Sequence, residues 1–374
     1  MNDTTGAPVR VIVSGGGTGG HIFPAISIAN AIKAKYSNAK IIFVGAENRM
    51  EMKRVPAAGY EIIGLEIVGF ERKHLFKNIS VLWKLCNSLR KARKILKGFD
   101  PDIVIGVGGY ASAPTLKTAN SLGIPTLIQE QNSYAGVTNK LLAKKAQRIC
   151  VAYDGMERFF PVNKIVNTGN PYRKDLLSSA SREEAYDFFN LDPSKKTILV
   201  IGGSLGSKTL NDSLLSHMSN IRDSGIQILW QCGEYYFADL TGKIAKTKAK
   251  NIHLHDFINR MDLAYKSADL VISRAGAGAI SELCLLGKPA ILVPSPNVAE
   301  DHQTKNAMAL VDKNAAMLVA DSEAVEKLVG IALETLADES QLNTLSENIL
   351  KLAKPNATED ILAEIIRIIE EKRK

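Results

Sequence analysis

The feature that most constrains this chain is a pattern that starts twice. Arg10–Ser14, Lys40–Val44, Ile103–Gly106, Thr126–Ile128 and Arg148–Val151 are short runs, nearly all apolar and rich in β-branched residues, separated by longer helical segments. The series then restarts at Thr197–Ile201 and continues through Gln227–Trp230, Asn251–Leu254, Leu270–Ser273 and Ala290–Val293. Strands that alternate apolar and polar residues have one wet face. Uniformly apolar strands are buried on both faces, as in a parallel sheet covered by helices. Two such βα series predict an α/β protein of two doubly wound, Rossmann-like parallel-sheet domains. A length of 374 residues suits two domains better than one. The reading is a first domain over residues 1–167 and a second over 168–354, with an amphipathic helix in 355–374 packing back on the first.

Both first strands run into glycine. Gly15-Gly16-Gly17-Thr18-Gly19-Gly20-His21 follows one, and Gly202-Gly203-Ser204-Leu205-Gly206-Ser207 follows the other. Glycine lets backbone approach a ligand closely, and the helix that follows offers free N–H groups suited to phosphate. The first loop contains G-x-G-x-x-G, which alone is a weak signal. Strand 2 ends Val44-Gly45, with Glu47 past its tip, where a dinucleotide fold needs an acid at the tip itself. Neither loop ends in the G-K-[ST] of a P-loop. The bland alternative for either loop is a tight turn with no ligand. Matching loops in both halves favour a ligand in an intervening cleft. A third loop, Gly106–Ser112, also follows a strand, and the polar run Gln129-Glu130-Gln131-Asn132 is expected directly after another. On pattern alone Glu130 reads equally well as a carboxylate at a helix N-terminus.

The bulk properties exclude several classes. The four cysteines are scattered and form no metal-ligand or disulfide spacing, which fits a reducing compartment. The polar start, Met1–Pro8, lacks the features of a signal peptide, and no run of about 18 apolar residues is long enough to span a bilayer. The net charge is +8, and Arg72–Phe99 alone carries nine Lys/Arg with no Asp or Glu. Such a segment favours an anionic partner. Leu82, Leu85, Leu89 and Leu96 follow helical spacing and read as core. Phe76, Ile79 and Trp83, flanked by Arg72, Lys73, Lys77 and Lys84, suit shallow insertion into an anionic membrane; a solvated basic face is the alternative. No nucleic-acid motif accompanies the charge.

Taken in order, Gly16–His21, Gly108-Gly109-Tyr110, Glu130-Gln131-Asn132, Gly169-Asn170-Pro171, Gly202-Gly203-Ser204 and Asp301-His302-Gln303 resemble the MurG family of glycosyltransferase family 28. These enzymes transfer N-acetylglucosamine (GlcNAc) from UDP-GlcNAc to lipid I, giving lipid II in peptidoglycan synthesis. The resemblance spans nearly the whole chain. It implies a GT-B fold, an inverting mechanism, no metal or cofactor, and a peripheral place on the cytoplasmic face of the bacterial inner membrane. It gives UDP-GlcNAc to the C-terminal half and the lipid acceptor to the N-terminal half. Ile258 is implied beside uracil through its backbone, Glu282 on the ribose hydroxyls, Arg173 and the Ser204 loop at the diphosphate, and Gln303 with His302 at the sugar. Thr18, Gly19, Gly20, Asn132 and Ala277 are implied around the donor, and Gly109 and Tyr110 on the acceptor side. Ala279 stands where relatives commonly place threonine, so a hydroxyl contact there is absent.

A carboxylate can accept both hydrogen bonds of a cis-diol, and a guanidinium with free N–H groups suits a departing diphosphate. The acceptor hydroxyl, the C4-OH of the muramoyl sugar by resemblance, must lose a proton to a base within hydrogen-bond reach. His21 and Glu130 are the candidates. His21 titrates near working pH and sits in the first turn of a helix, whose dipole disfavours its cation. Two other functions share parts of the pattern. A UDP-GlcNAc 2-epimerase has the same architecture but leaves the basic segment unexplained. A non-catalytic nucleotide-sugar binding subunit needs no base.

Overall fold

The computed structural model describes residues 7–67 and 78–374. The chain divides into two compact units, Met1–Arg173 with Asn356–Lys374, and Lys174–Pro355.

Unit 1 runs β1 (Arg10–Ser14), α1 (Gly19–Lys35), β2 (Lys40–Ala46), α2 (Glu51–Ala57), β3 (Glu61–Leu65), α3 (Asn78–Phe99), β4 (Ile103–Gly106), α4 (Ser112–Ser121), β5 (Thr126–Glu130), α5 (Val137–Leu142), β6 (Arg148–Val151) and β7 (Ile165–Asn167). Its sheet order is β3-β2-β1-β4-β5-β6-β7 with every pair parallel. Alternate residues of a strand face opposite sides. Val11 and Val13 therefore join a core containing Ile22, Ile28 and Ile32 of α1, while Ile12 joins one containing Leu96 and Leu116. Both faces are dry, which is why these strands are apolar throughout.

Unit 2 runs α6 (Arg182–Phe189), β8 (Thr197–Ile201), α7 (Lys208–Ser216), α8 (Met218–Asp223), β9 (Gln227–Gln231), α9 (Glu234–Thr247), β10 (Ile252–His255), α10 (Met261–Ser267), β11 (Leu270–Ser273), α11 (Ala277–Leu286), β12 (Ala290–Leu292), α12 (His302–Val311), β13 (Met317–Leu318), α13 (Asp321–Ala337) and α14 (Glu339–Leu350). Its parallel sheet has the order β10-β9-β8-β11-β12-β13. α6 opens with a reciprocal cap: Ser181 Oγ accepts from Glu184 N and Glu184 Oε2 accepts from Ser181 N. This pairing satisfies two amide donors that a helix start otherwise leaves open.

The last helix, α15 (Ala357–Arg373), returns to unit 1. Ile361, Ile365, Ile368 and Ile369 recur at helical spacing and are buried in the α1 side of that unit's core. Arg148 Nε meets Glu364 Oε2 at 3.1 Å, and Arg373 meets Asp102 at 2.9 Å. At roughly 1.5–3 kcal/mol per buried isoleucine, the apolar contacts outweigh the half-exposed ion pairs.

Three details differ from the sequence reading. Gln129 and Glu130 lie inside β5 rather than after it, because both pair with β6. Among the described side chains of α3 the buried line is Ser88, Ala92 and Leu96, while Leu85 and Leu89 are only half-buried and the side chain of Leu82 lies outside the described ones. Strand 2 runs on to Ala46, held by pairing with Leu65 of β3, an edge strand the pattern did not suggest.

Candidate functional site

In each sheet the strand order reverses beside the first strand, between β1 and β4 and between β8 and β11. Carboxyl ends of strands at such a reversal leave a crevice, and doubly wound folds place ligands there. The glycine loops stand at these two points.

In unit 1 the loop after β1 meets the loop after β4. Gly16 N donates to Gly108 O at 3.3 Å, and Ser112 Oγ bridges Ser14 O and Gly108 O. The His21 ring lies against this junction. Its Nδ1 is 2.9 Å from Gly16 O, which can only accept, so Nδ1 carries a proton and, in the neutral ring, the lone pair is on Nε2. A Cβ at Gly108 would stand 2.9 Å from that Nε2. Gly108 also has φ +92°, so only glycine fits there without strain. Thr18 caps α1 in extended conformation, with its hydroxyl 3.4 Å from His21 Nδ1. Gly19 and Gly20 form the first turn of that helix, and Tyr110 is exposed beside Gly109.

Glu130 is 2% exposed at the end of β5. Its Oε1 accepts from Asn132 N and Nδ2 at 3.1 and 3.3 Å, and its Oε2 from Gly136 N and Asn139 Nδ2, both at 2.9 Å. Four donors fill both oxygens, and Gly136 is the N-cap of α5. Glu130 thus folds the 131–136 loop onto a helix start. Beneath it, Gln129 donates to Asn170 Oδ1 and Asn170 donates to Gln131 O, fixing the turn that carries Pro171. Arg173, half-buried, ends the first of the unit's two segments.

In unit 2 the Gly202–Ser207 loop leads into α7, where Ser207 Oγ accepts from Leu210 N. Ser204 and Leu205 are exposed at the loop's crest. Gln231, at the end of β9, donates to Gly203 O at 3.0 Å and accepts from Ile258 N at 2.9 Å. It therefore ties the glycine loop to the buried Ile258. Ala277 begins α11, and Glu282 lies on the same helix, its Oε2 accepting from Tyr265 Oη at 2.9 Å. Ala279 is half-exposed on that helix. Arg274, just before it, reaches Val293 O, Pro294 O and Asp321, clamping the ends of β11 and β12.

The loop entering α12 is strained. Glu300 and Asp301 have φ of 56° and 50°, a conformation costing about 1–2 kcal/mol per residue outside glycine. Lys305 holds Glu300 O and Thr304 holds Asp301. His302 opens α12, and Gln303 Oε1 accepts from Ser295 N at 2.8 Å, which turns its amide end outward from that bond. Strain held this way is typical of ligand-binding loops.

Of the expected membrane patch, Trp83 is 63% exposed. Lys84 pairs with Glu66 at 3.0 Å, so part of its charge is answered within the protein. Phe76 and Lys77 lie outside the described residues, as does the side chain of Ile79. Among the described residues no helix is long and apolar enough to cross a membrane.

Sequence reasoning did not single out Gln231, Tyr265 or Arg274, nor Glu51, whose carboxylate lies against Gly16. Gln231 and Arg274 stand at or just past strand ends, and the rule that drew attention to Glu130 applies equally to them.

Two parallel-sheet units with glycine loops at their strand reversals match the GT-B fold found in sugar transferases. Residues 11–151 match the glycosyltransferase family 28 N-terminal domain and residues 197–361 the family's C-terminal domain, and the chain belongs to glycosyltransferase family 28. A relative from Bacteroides thetaiotaomicron is 60% identical over 97% of this chain and 98% of its own. It is named UDP-N-acetylglucosamine–N-acetylmuramyl-(pentapeptide) pyrophosphoryl-undecaprenol N-acetylglucosamine transferase. The crystal structure of Acinetobacter baumannii MurG is 29% identical, with a TM-score of 0.78 over 96% of this chain and all of that one. A UDP-GlcNAc 2-epimerase from Neisseria meningitidis shares the fold, at 15% identity and a TM-score of 0.66, over 96% of this chain and all of that one.

Proposed function

We infer that this chain transfers GlcNAc from UDP-GlcNAc to the C4 hydroxyl of the muramoyl sugar of undecaprenyl-pyrophosphoryl-MurNAc-peptide, releasing UDP. The observation that carries the reading is the 60% identity, over nearly the full length of both chains, to a transferase of that name. The epimerase shares only the fold.

Unit 2 is assigned the donor. Ile258 offers its carbonyl to uracil, since its N–H is already given to Gln231. Glu282, steadied by Tyr265, takes the ribose diol. The Gly202–Ser207 loop and the start of α7 face phosphate, with Arg173 the cation assigned to it. The strained loop before α12 presents His302 and Gln303 to the sugar.

Unit 1 is assigned the acceptor and the base. His21 Nε2 takes the proton of the attacking hydroxyl as its oxygen bonds to C1 of GlcNAc. The bond from C1 to the diphosphate oxygen breaks, its electron pair leaves with UDP, and the anomeric configuration inverts. Glu130 supports the neighbouring loop, because its oxygens are filled by four donors. The exposed Trp83 and the basic residues of α3 are assigned to an anionic membrane surface at the cytoplasmic face, where the lipid acceptor lies.

The test is purified protein with UDP-GlcNAc and a lipid I analogue. UDP and the disaccharide product should appear together. UDP-GlcNAc binding without transfer would refute the acceptor, and a manno-epimer formed without acceptor would refute the reaction.

A further inference from the structure

Glu51 opens α2 and is 1% exposed, yet it lies far in sequence from the residues assigned to the reaction. Its Oε1 accepts from Ala46 N at 3.0 Å and its Oε2 from Gly17 N at 2.9 Å. The carboxylate thus joins the end of β2 to the loop after β1. The fit is close: a Cβ at Gly16 would stand 2.2 Å from Glu51 Cδ. Gly16 is therefore glycine because a buried carboxylate lies against it. A buried carboxylate is costly unless its oxygens are bonded, and here two backbone donors meet it.

The consequence passes through one residue. Gly16 N is held by Gly108 O, and Gly17 N, on its other side, by Glu51. Between these two ties is the Gly16 carbonyl, the acceptor for His21 Nδ1 at 2.9 Å. That carbonyl decides which ring nitrogen of His21 carries the proton, and so which one has a lone pair for the acceptor hydroxyl.

We propose that Glu51 is a positioning residue for the transfer: its buried carboxylate fixes the Gly16 carbonyl that holds His21 as the Nδ1–H tautomer, leaving Nε2 as the base. The proposal rests on the reading of His21 as base. Glu51 does not touch substrate in this scheme. It acts as the carboxylate behind a catalytic histidine acts elsewhere, except that a peptide carbonyl lies between the two.

The test combines nitrogen NMR with kinetics on the full chain. In the native protein, ¹⁵N spectra of His21, assigned by its loss in His21→Ala, should show the Nδ1–H form. A native Nε2–H form overturns the proposal without any variant. Glu51→Gln keeps the shape but sets an N–H against one of the two backbone donors. It should redistribute the His21 tautomers, lower kcat about 10–100-fold, the scale of misplacing a base, and leave KM for UDP-GlcNAc unchanged. Glu51→Asp keeps the charge and should recover part of kcat and of the native spectrum. A folded Glu51→Gln protein with a native His21 spectrum overturns the positioning role. If instead the spectrum changes as expected but His21→Ala retains full turnover, the positioning stands and the assignment of His21 as base falls.

Discussion

Replacing Glu130 with glutamine tests whether this residue holds a loop or moves a proton. The two side chains have the same shape, so cavity effects are small. In the native protein each carboxylate oxygen accepts two hydrogen bonds, four in all. Glutamine can keep one oxygen but must turn an NH2 toward the donors at the other. Two bonds to a charged acceptor, at about 1.5–3 kcal/mol each, are lost, for about 3–6 kcal/mol. At 2% exposure, water cannot easily replace them. For a unit of this size about 2–4 °C accompanies each kcal/mol, so the unit 1 transition should fall by roughly 6–24 °C. The assay is calorimetry paired with amide exchange, in which the amides of Asn132 and Gly136 should lose protection first. A Glu130→Gln protein that melts and exchanges like the native one, yet has lost kcat, would refute this reasoning and make Glu130 the base.

Three further outcomes are expected. Ile365→Ala, in the fully buried stripe of α15, should destabilise unit 1 by about 2–5 kcal/mol in denaturant titration, and a change under 1 kcal/mol would mean that the helix is not part of that core. Lys288 is held down to about 8 by burial, and its Nζ donates to Ala268 O. Its ammonium is therefore disfavoured in the folded state: the burial cost is fully present below pH 8 and relieved as pH rises toward 10.5. At about 1.4 kcal/mol per pH unit, stability should gain about 3 kcal/mol across that window in the native protein relative to Lys288→Met, and a flat difference would contradict it. Of the two tryptophans Trp230 is buried, so a blue shift of fluorescence on adding phosphatidylglycerol vesicles should come from Trp83 and vanish in Trp83→Phe. A shift that survives that substitution would remove Trp83 from the membrane surface.

Much of the architecture was legible because it follows from burial. Strands covered on both faces have no room for polar residues, so Val11–Val13, Ile103–Ile105 and Thr197–Ile201 announced themselves, and the restart at Thr197 announced the second unit. β3 was not legible. It is an edge strand whose first three residues are exposed or half-exposed, so its pattern resembles a loop. β13 is two residues long and has no pattern to read. The glycine loops were visible, but what required each glycine was not. Gly108 faces an imidazole from the first turn of α1 and Gly16 a carboxylate thirty-five residues on, and only the fold brings these together. Glu130 shows the same limit in reverse. Its position beside a strand end suggested either chemistry or a carboxylate at a helix N-terminus, and spacing could not reveal its four donors, two of them from Asn132.

The return of α15 to unit 1 also bears on how the protein is made. Unit 2 is continuous in sequence and can complete its core as soon as its last helix leaves the ribosome. Unit 1 cannot, because the isoleucines that cover α1 follow the whole of unit 2 in the sequence. At roughly 5–20 residues per second, the apolar side of α1 stays uncovered for roughly 10–40 seconds while the whole of unit 2 is synthesised. The unit begun first is thus the last to be finished. A chain whose synthesis stops between unit 2 and α15 has a complete second unit and a first unit whose core lies open to chaperones and to aggregation.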